Sequence, residues 1–366
     1  MSWLEHLRPE LAGLSSLRLP DYAAAGDQLA RLDCNELPFP VTDDELRDFR
    51  AALGEVPLHR YPDVSGAPLR QALAARWSVA PEQILLGNGS IETLAILVSA
   101  CGGAASGRPP TVLYPDPSFP HYEVIARSHG CLPLAVPLDR SFQLDEPRFA
   151  AAIAEHRPAV VIIASPNNPT GNLFDPQVLE RLARRADAAF VVDEAYVDFA
   201  GHGDCASTMI PRIAEIPGLF VMRTFSKLGF AGLRVGALVG AASAIAELDK
   251  VRLPWNLNAT SLALARVILS RPERMRARVE SAIALRRTLD AELRTIPDLT
   301  VFSSEANFIL VRTARPARWV FERLLARGVL VKDVSQVASL ERCLRITIGT
   351  APENARCAEA LREALR

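Results

Sequence analysis

Short apolar segments alternate with helical patterns between residues 84 and 240, and this alternation restricts the fold more than any other feature of the sequence. The apolar segments begin near residues 84, 111, 158, 188, 219 and 233. Continuous apolar runs of this length, bounded by turn residues, are typical of strands that are buried on both faces. With helical patterns such as residues 176–188 between them, they predict an α/β fold whose mostly parallel, doubly wound sheet carries helices on both faces.

The pattern changes after about Trp255 to long helices followed by short strands and further helices. The strands are predicted at 299–313, 329–334 and 343–350, and the later helices at 316–327 and 352–365. This mixture is typical of a compact α+β domain. The sequence therefore predicts a large domain of residues 46–254. It also predicts a second unit, in which residues 1–45 form an irregular arm and residues 255–366 form the smaller domain.

Composition and charge disfavour several classes of function. A length of 366 residues, with 49% hydrophobic and 23% charged residues, is typical of a globular protein of two domains. The net charge of −1 includes no basic block, which disfavours a nucleic-acid partner. The scattered cysteines lack metal-ligand spacing, so we expect no metal site, no disulfide framework and a cytoplasmic location. We also expect no signal peptide, because Glu5 and Glu10 lie in the N-terminal segment, and no membrane span.

Residues 223–236, RTFSKLGFAGLRVG, contain one lysine directly after an apolar segment. A lysine in such a place is rarely buried without a function. When desolvated, its amine becomes a nucleophile able to form a Schiff base. The surrounding Thr224, Ser226 and Arg234 form an anion site that suits a phosphate. Lys227 beside a phosphate site indicates pyridoxal phosphate, although a surface lysine after a strand would have the same local sequence.

Other predicted strand ends carry residues of the same kind. Gly89 and Ser90 precede a helix whose start can bind a phosphate, although helix capping uses the same residues. Phe119 lies in a proline-rich turn, where its ring could stack on a ligand or form a hydrophobic staple. Asn168 lies in the stiff SPNNPTG turn. Asp193 follows four apolar residues, and a carboxylate buried there needs a partner.

These residues, together with Tyr196, all lie at or just past the predicted carboxyl end of a strand. Open α/β sheets bind ligands at that edge. One such coincidence is common, but its repetition along the sheet favours a cofactor site.

The chain resembles the fold-type-I pyridoxal-phosphate aminotransferases, and within them the histidinol-phosphate aminotransferases. The matching segments are NELP (35–38), RYPD (60–63), LGNGS (86–90), YPDPSF (114–119), SPNNPTG (165–171), DEAY (193–196), TFSKLGFAGLRVG (224–236), ANF (306–308), VKD (331–333) and LRITIGT (344–350). They span most of the chain in the order of the family. The resemblance implies an aspartate-aminotransferase-like fold with pyridoxal phosphate as the cofactor.

The resemblance also implies a role for each candidate residue. Lys227 would bind the cofactor covalently and transfer the substrate proton. Asp193 would keep the ring nitrogen protonated, which makes the ring an electron sink. Tyr196 and Asn168 would hydrogen-bond the phenolic oxygen, and Phe119 would stack on the ring. The cofactor phosphate would be held by Gly89, Ser90, Thr224, Ser226, Arg234 and, from the other subunit of a homodimer with shared active sites, Tyr61.

Substrate binding is implied on the smaller domain and in the arm. Arg345 would bind the anionic end of the substrate bidentately, with Lys332 and Asn35 assigned to the substrate as well, although Asn35 could be a simple turn residue. Three positions depart from the pattern of the family. Leu17 replaces a tyrosine, Ile91 replaces an aspartate, and Lys332 replaces an arginine of some relatives and would bind phosphate as a point charge.

The implied reaction transfers an amino group between histidinol phosphate and 2-oxoglutarate, giving imidazole-acetol phosphate and glutamate in a ping-pong sequence. Two alternatives share the fold: a threonine-phosphate decarboxylase of cobalamin synthesis and a broad aromatic amino-acid aminotransferase. A non-catalytic ligand-sensing domain is a further alternative, which the lack of a basic segment before residue 46 disfavours. A nicotinamide-binding enzyme is disfavoured because no GxGxxG turn follows a predicted strand.

Overall fold

The computed structural model describes residues 6, 9, 11, 14, 29–101, 109–201 and 207–366. Within these residues the chain forms a seven-stranded sheet and a five-stranded sheet. The strands are β1 (Ala30–Leu32), β2 (Ile84–Asn88), β3 (Thr111–Asp116), β4 (Leu132–Pro137), β5 (Val160–Ala164), β6 (Ala189–Asp193), β7 (Leu219–Thr224), β8 (Val235–Val239), β9 (Leu299–Val301), β10 (Phe308–Thr313), β11 (Val329–Asp333) and β12 (Cys343–Thr347). The α-helices are α1 (Asp43–Gly54), α2 (Ala67–Trp77), α3 (Ser90–Cys101), α4 (His121–Ser128), α5 (Glu146–His156), α6 (Pro176–Arg185), α7 (Ala242–Asp249), α8 (Ala259–Leu269), α9 (Pro272–Leu293), α10 (Ala317–Ala326) and α11 (Ala351–Leu365).

The seven-stranded sheet has the spatial order β2–β8–β7–β6–β5–β3–β4. The five strands β7, β6, β5, β3 and β4 run parallel to one another. The strand β8 runs antiparallel to both β7 and β2. The carboxyl ends of β2, β5, β6 and β7 therefore lie at the same edge as the amino end of β8. The predicted mostly parallel sheet is confirmed, and the reversal of β8 brings the residues before it to the edge where open α/β sheets bind ligands.

Helices cover both faces of this sheet, as β5 illustrates. Val161 and Ile163 pack with residues of α5 and α6, whereas Val160 and Ile162 pack with residues of α3, α4 and α7. All four side chains are fully buried. Each contributes about 1.5–3 kcal/mol of transfer free energy, before the entropy of ordering is subtracted. Burial on both faces explains why the segment reads as a continuous apolar run rather than an alternating one.

Two strands depart from the sequence-based expectations. The arm was predicted to be irregular, but its residues Ala30–Leu32 form β1, which pairs parallel with β11 at the edge of the smaller sheet. Three residues that alternate buried, exposed and buried are too few to produce a sequence signal. β4 contains Pro133 and Pro137, which argue against a strand. It lies at the edge of the larger sheet, where missing amide donors are tolerated.

The five-stranded sheet has the order β1–β11–β12–β10–β9, and its core is shared with α9, α10 and α11. Beyond residue 255, α8 packs on α1 and α2 rather than on this sheet. The boundaries at residues 45/46 and 254/255 remain predictions. None of the helices in the described ranges combines the length and apolar character that crossing a membrane requires.

Candidate active site

A cavity of about 200 Å³ lies at the edge where β2, β5, β6 and β7 end. Most of the predicted site residues line it: Asn35, Ser90, Phe119, Asn168, Asp193, Tyr196, Thr224, Ser226, Lys227, Arg234 and Arg345. Gly89 precedes Ser90 at the same wall, whereas Tyr61 and Lys332 are not part of the lining. The fold thus brings together side chains that the sequence placed separately at different strand ends.

Lys227 lies in a turn directly after β7, and its side chain is half-buried. Gly229, in the same turn (Ser226–Phe230), has a φ of +93°, a conformation that suits glycine. The Nζ atom of Lys227 donates to the carbonyl oxygen of Cys34 at 3.2 Å and lies 5.7 Å from the ring centroid of Tyr196. A neutral carbonyl therefore holds this amine at the cavity wall.

The chain contains three lysines, and all of them lie in the described ranges. Lys250 is exposed at the end of α7 and pairs with Glu247. Lys332 is exposed on β11. Lys227 is thus the lysine that lines the cavity, which makes a covalent label on lysine simple to assign.

Asp193 is the last residue of β6 and is 7% exposed. Its Oδ2 accepts a hydrogen bond from the Tyr122 hydroxyl at 2.7 Å, and its Oδ1 accepts one from the backbone N–H of Ala195 at 3.1 Å. Burial raises the pKa of Asp193 to about 6, although both donors and the charge of Lys227 oppose the shift. A ligand cation in the cavity would stabilise this buried carboxylate.

The predicted phosphate residues form one group of hydrogen-bond donors. Arg234 Nη1 donates to the Ser226 hydroxyl at 3.1 Å, and the Thr224 hydroxyl donates to the same oxygen at 3.0 Å. Ser90 opens α3, whose first backbone amides lie at the positive end of the helix dipole. Gly89 has a φ of +79°, and a Cβ there would lie 2.4 Å from Nη2 of Arg234. Glycine therefore allows the guanidinium to approach the start of α3, where an anion would meet both groups of donors.

Arg345 lies on β12 and is nine-tenths buried. Its Nη1 donates to Oδ1 of Asn168 at 2.7 Å, and its Nη2 donates to the carbonyl oxygen of Asp33. Its Nε is buried without a hydrogen-bond partner in the part of the chain that the structure describes. Arg345 lines the cavity, and these two hydrogen bonds use two of the five N–H groups of its guanidinium, so N–H groups remain to bind an anion.

Lys332 lies directly opposite Arg345 in the antiparallel pairing of β11 with β12. Residues opposite each other in such a pair project from the same face of the sheet. Lys332 is nevertheless exposed and does not line the cavity. The structure therefore places its charge next to Arg345 without bringing it to the cavity wall.

Asn35 connects the arm to the cavity and is 1% exposed. Its backbone N–H donates to the Thr347 hydroxyl at 2.9 Å, and its carbonyl accepts from the side chain of Asn307 at 3.0 Å. Its own Nδ2 donates to the hydroxyl of Tyr196 at 2.9 Å. Asn35 thus orients Tyr196 within the cavity, and its predicted contact with substrate remains a prediction.

Tyr61 lies outside the cavity, in the loop before α2. It is 77% exposed and stacks on Trp255 with 4.3 Å between the ring centroids. The resemblance assigned it to the site of the other subunit, and that role remains a prediction. Leu17 lies outside the described residues.

The sequence patterns did not indicate the role of Tyr122. It is fully buried in α4 and donates to Asp193, 71 positions away in the chain. Two general signals point to such a pair: a buried tyrosine hydroxyl needs a partner, and so does a buried carboxylate. Ile91 and Cys34 also line the cavity without having been predicted to do so.

Comparison with known proteins agrees with this geometry. Residues 28–361 match the family described as Aminotransferase class I and II. A relative from Burkholderia lata named histidinol-phosphate aminotransferase 1 is 39% identical over 362 residues, covering 98% of this chain and 98% of that protein. The resemblance that the motifs indicated is confirmed over nearly the whole chain.

Solved structures with low sequence identity share the fold. The histidinol-phosphate aminotransferase from Sinorhizobium meliloti in complex with pyridoxal-5'-phosphate has a TM-score of 0.86 at 24% identity, covering 98% of this chain and 97% of that chain. An aspartate aminotransferase double mutant from Thermus thermophilus has a TM-score of 0.81 at 23% identity, covering 98% and 99%. The predicted aspartate-aminotransferase-like fold is confirmed. With the match over residues 28–361, we conclude that the chain belongs to the class I and II aminotransferase family.

Proposed function

We propose that the protein is a pyridoxal-phosphate-dependent aminotransferase that transfers the amino group between histidinol phosphate and 2-oxoglutarate. One observation carries the proposal: the amine of Lys227 and the buried carboxylate of Asp193 line the same cavity, at the ends of neighbouring strands. The choice of substrate rests on the Burkholderia lata relative, which is matched over 98% of its length.

The residues of the cavity fit pyridoxal phosphate. Gly89 allows the Arg234 guanidinium to approach the start of α3, and both offer donors suited to its phosphate. Asp193 is a carboxylate that a protonated ring nitrogen would stabilise, and Phe119 offers a flat ring for stacking. When bound, the cofactor supplies an aldehyde for the lysine and an electron sink for the substrate. The residues that would hold it are Gly89, Ser90, Phe119, Asn168, Asp193, Tyr196, Thr224, Ser226, Lys227, Arg234 and Tyr61 of a second copy.

Lys227 has two tasks in this proposal. Its Nζ would hold the cofactor covalently, and in each half-reaction the freed amine would move a proton between the substrate carbon and the cofactor. Both tasks need an amine at the cavity wall that can change partners. The bond to the Cys34 carbonyl, at 3.2 Å, supports this because a neutral acceptor is exchanged more readily than a carboxylate.

The cations on β11 and β12 suit the anionic ends of both substrates. The unpaired Nε of Arg345 is a buried donor, and an acceptor from the substrate would remove the free-energy penalty of leaving it unsatisfied. Lys332 adds a second positive charge on the adjacent strand. Together they would accept a carboxylate in one half-reaction and a phosphate in the other, with Asn35 nearby in the arm.

The two alternative activities would use the same cavity. A comparison of kcat/KM for histidinol phosphate with 2-oxoglutarate, L-threonine phosphate, and phenylalanine with 2-oxoglutarate distinguishes them. We expect the highest value with histidinol phosphate and no release of CO₂ from threonine phosphate. Release of CO₂ would favour the decarboxylase of cobalamin synthesis, and equal turnover of phenylalanine would favour a broad aromatic aminotransferase.

We also propose that the active unit is a homodimer. Large apolar side chains are exposed in the loop before α2 and between α7 and α8, among them Leu58 at 78% and Leu253 at 70%. Beside them, an open cavity of about 990 Å³ includes Tyr61 in its lining. An apolar surface of this kind favours a protein partner, and a second copy would bring Tyr61 towards the exposed Arg234 of the other site.

Sedimentation of the purified protein tests the dimer. We expect twice the chain mass for the wild type and a shift towards monomer for Leu58→Asp, with Leu132→Asp as the control at an exposed position on the edge strand β4. A wild type that stays monomeric at the concentration of the assay, and is fully active, would contradict the shared site. We keep the cytoplasm as the proposed location, because the scattered cysteines suit a reducing compartment.

A further inference from the structure

We propose that Tyr122 is a positioning residue whose hydroxyl keeps the carboxylate of Asp193 ionised and directed into the cavity. This inference rests on the proposed function, in which Asp193 pairs with the ring nitrogen of the cofactor. Its basis is the bond from the Tyr122 hydroxyl to Oδ2 of Asp193 at 2.7 Å, within a fully buried environment.

The phenol ring is held in one orientation by its neighbours. Tyr122 lies in the first turn of α4, and its ring meets Tyr114 and Phe119 edge-on at centroid distances of 6.1 Å and 5.6 Å. Phe119 itself stacks on His121 at 4.9 Å. Since the ring is enclosed by packed aromatic groups, the hydroxyl has little freedom to leave Asp193, and the carboxylate has a fixed donor.

The direction of this hydrogen bond follows from charge. Burial beside Asp193 raises the pKa of Tyr122 well above its ordinary value, so the phenol keeps its proton and donates. A donor stabilises the ionised carboxylate over the neutral acid, and it therefore opposes the effect of burial on Asp193. The other groups that act on this pair are the Ala195 N–H and Lys227, which also favour the ionised carboxylate, and Tyr196, which raises the pKa of Tyr122 further.

The consequence concerns a single proton. With the cofactor bound, one proton is shared between the ring nitrogen and Asp193, and it lies on the nitrogen only if the carboxylate is the weaker base. The Tyr122 hydroxyl lowers the basicity of the carboxylate through a charge-assisted bond. It thus keeps the proton on the nitrogen, which is the form that withdraws electrons from the substrate.

The test reads that proton directly. The holoprotein is prepared with pyridoxal phosphate that carries an isotopic label at the ring nitrogen, and the nitrogen chemical shift is measured by NMR for the wild type and Tyr122→Phe. We expect the shift of a protonated nitrogen in the wild type and a clear movement towards the unprotonated value in Tyr122→Phe. We also expect binding of pyridoxamine phosphate to weaken roughly tenfold, as for the loss of one hydrogen bond to a charged group.

Tyr114→Phe is the matched control. Tyr114 is a buried tyrosine of the same aromatic group, and its hydroxyl makes no hydrogen bond to Asp193 in the described structure. We expect it to leave the nitrogen shift unchanged. If Tyr122→Phe does not fold, Tyr122→His provides the second variant, because it keeps a ring with an N–H donor. We expect it to retain a shift closer to the protonated value than Tyr122→Leu does.

The outcomes separate this inference from the proposed function, because the measurement uses no substrate. A wild type that does not bind pyridoxal phosphate would overturn the proposed function. A wild type that binds it, together with equal nitrogen shifts in the wild type and Tyr122→Phe, would overturn the role of Tyr122 alone. Equal shifts in Tyr122→His and Tyr122→Leu would do the same.

Discussion

Asp193 and Glu194 follow one another at the end of β6 and are both buried, but different groups balance their charges. Glu194 accepts hydrogen bonds from the Thr208 hydroxyl and the Met209 backbone N–H, both at 2.6 Å, and pairs with Arg223 at 3.1 Å. Asp193 accepts from a phenol and a backbone amide. Burial raises the pKa of both carboxyl groups, and the Arg223 charge opposes the shift in Glu194 most strongly.

The comparison separates a structural carboxylate from a functional one. The ion partner of Glu194 is a side chain of the next strand, β7, so the pair joins the two strand ends and is complete within the protein. The carboxylate of Asp193 faces the cavity that Lys227 also lines. A buried charge is stabilised only by a partner, and for Asp193 we expect that partner to be the cofactor. The two residues should therefore fail in different ways when they are neutralised.

The largest effect is expected for Asp193→Asn. The amide cannot hold a proton on the ring nitrogen, so we expect kcat for transamination to fall about 10²- to 10³-fold, as when an electrostatic stabiliser of a transition state is removed. Stability towards urea at pH 8 should not decrease. Glu194→Gln is the control, with turnover per folded molecule close to wild type. Nearly full activity of Asp193→Asn would remove the distinction between the two carboxylates.

Glu194→Gln should instead destabilise the fold. It leaves the pair of Arg223 with Asp198, at 2.8 Å, in place. Because that pair persists, we expect a loss of about 2–4 kcal/mol in the free energy of unfolding, at or below the usual range for breaking a buried ion pair. Urea denaturation of the apoprotein measures it. The exposed Glu247→Gln is the control, with a change of at most about 0.5 kcal/mol. Equal effects of the two variants would show that the buried pair is not structural.

The pH dependence of stability sharpens the comparison further. The pKa of Asp193 is about 6 in the folded chain and near 3.8 when unfolded, so protonation favours the folded state. Its contribution is fully present below about pH 4 and is lost as the pH rises through 6. We expect apo Asp193→Asn to gain about 1–3 kcal/mol relative to the wild type between pH 4.5 and pH 8. A difference between the two proteins that does not change with pH would contradict the raised pKa.

A smaller effect is expected for the two cations on β12 and β11, Arg345 and Lys332, which differ in their exposure to solvent. Arg345 is buried and bonded to protein oxygens, whereas Lys332 is exposed. We expect Lys332→Ala to raise KM for histidinol phosphate about threefold with little change in kcat, since exposed charge pairs are weak. Lys332→Arg should restore KM, and Lys250→Ala should leave it unchanged. An unchanged KM in Lys332→Ala would exclude a contact with the phosphate.

The sequence predicted the strand ends because burial on both faces leaves a strong apolar signal, and Asp193 and Lys227 stand out directly after such runs. It could not predict which segments meet. The partners of Asp193 and Arg345, Tyr122 and Asn168, lie 71 and 177 positions away in the chain. Their contacts depend on the order of the strands rather than on local pattern. β1 was missed because three residues carry too little periodicity, and β4 because its prolines are tolerated only at a sheet edge.

The central claim is that Lys227 holds pyridoxal phosphate covalently. Reduction of the holoprotein with borohydride, followed by mass analysis of its proteolytic peptides, tests it most directly because the chain contains only three lysines. We predict that the peptide with Lys227 carries the mass of the reduced cofactor and that the peptides with Lys250 and Lys332 do not. A label on either of those two lysines, or an unlabelled Lys227 in protein that has bound the cofactor, would contradict the claim.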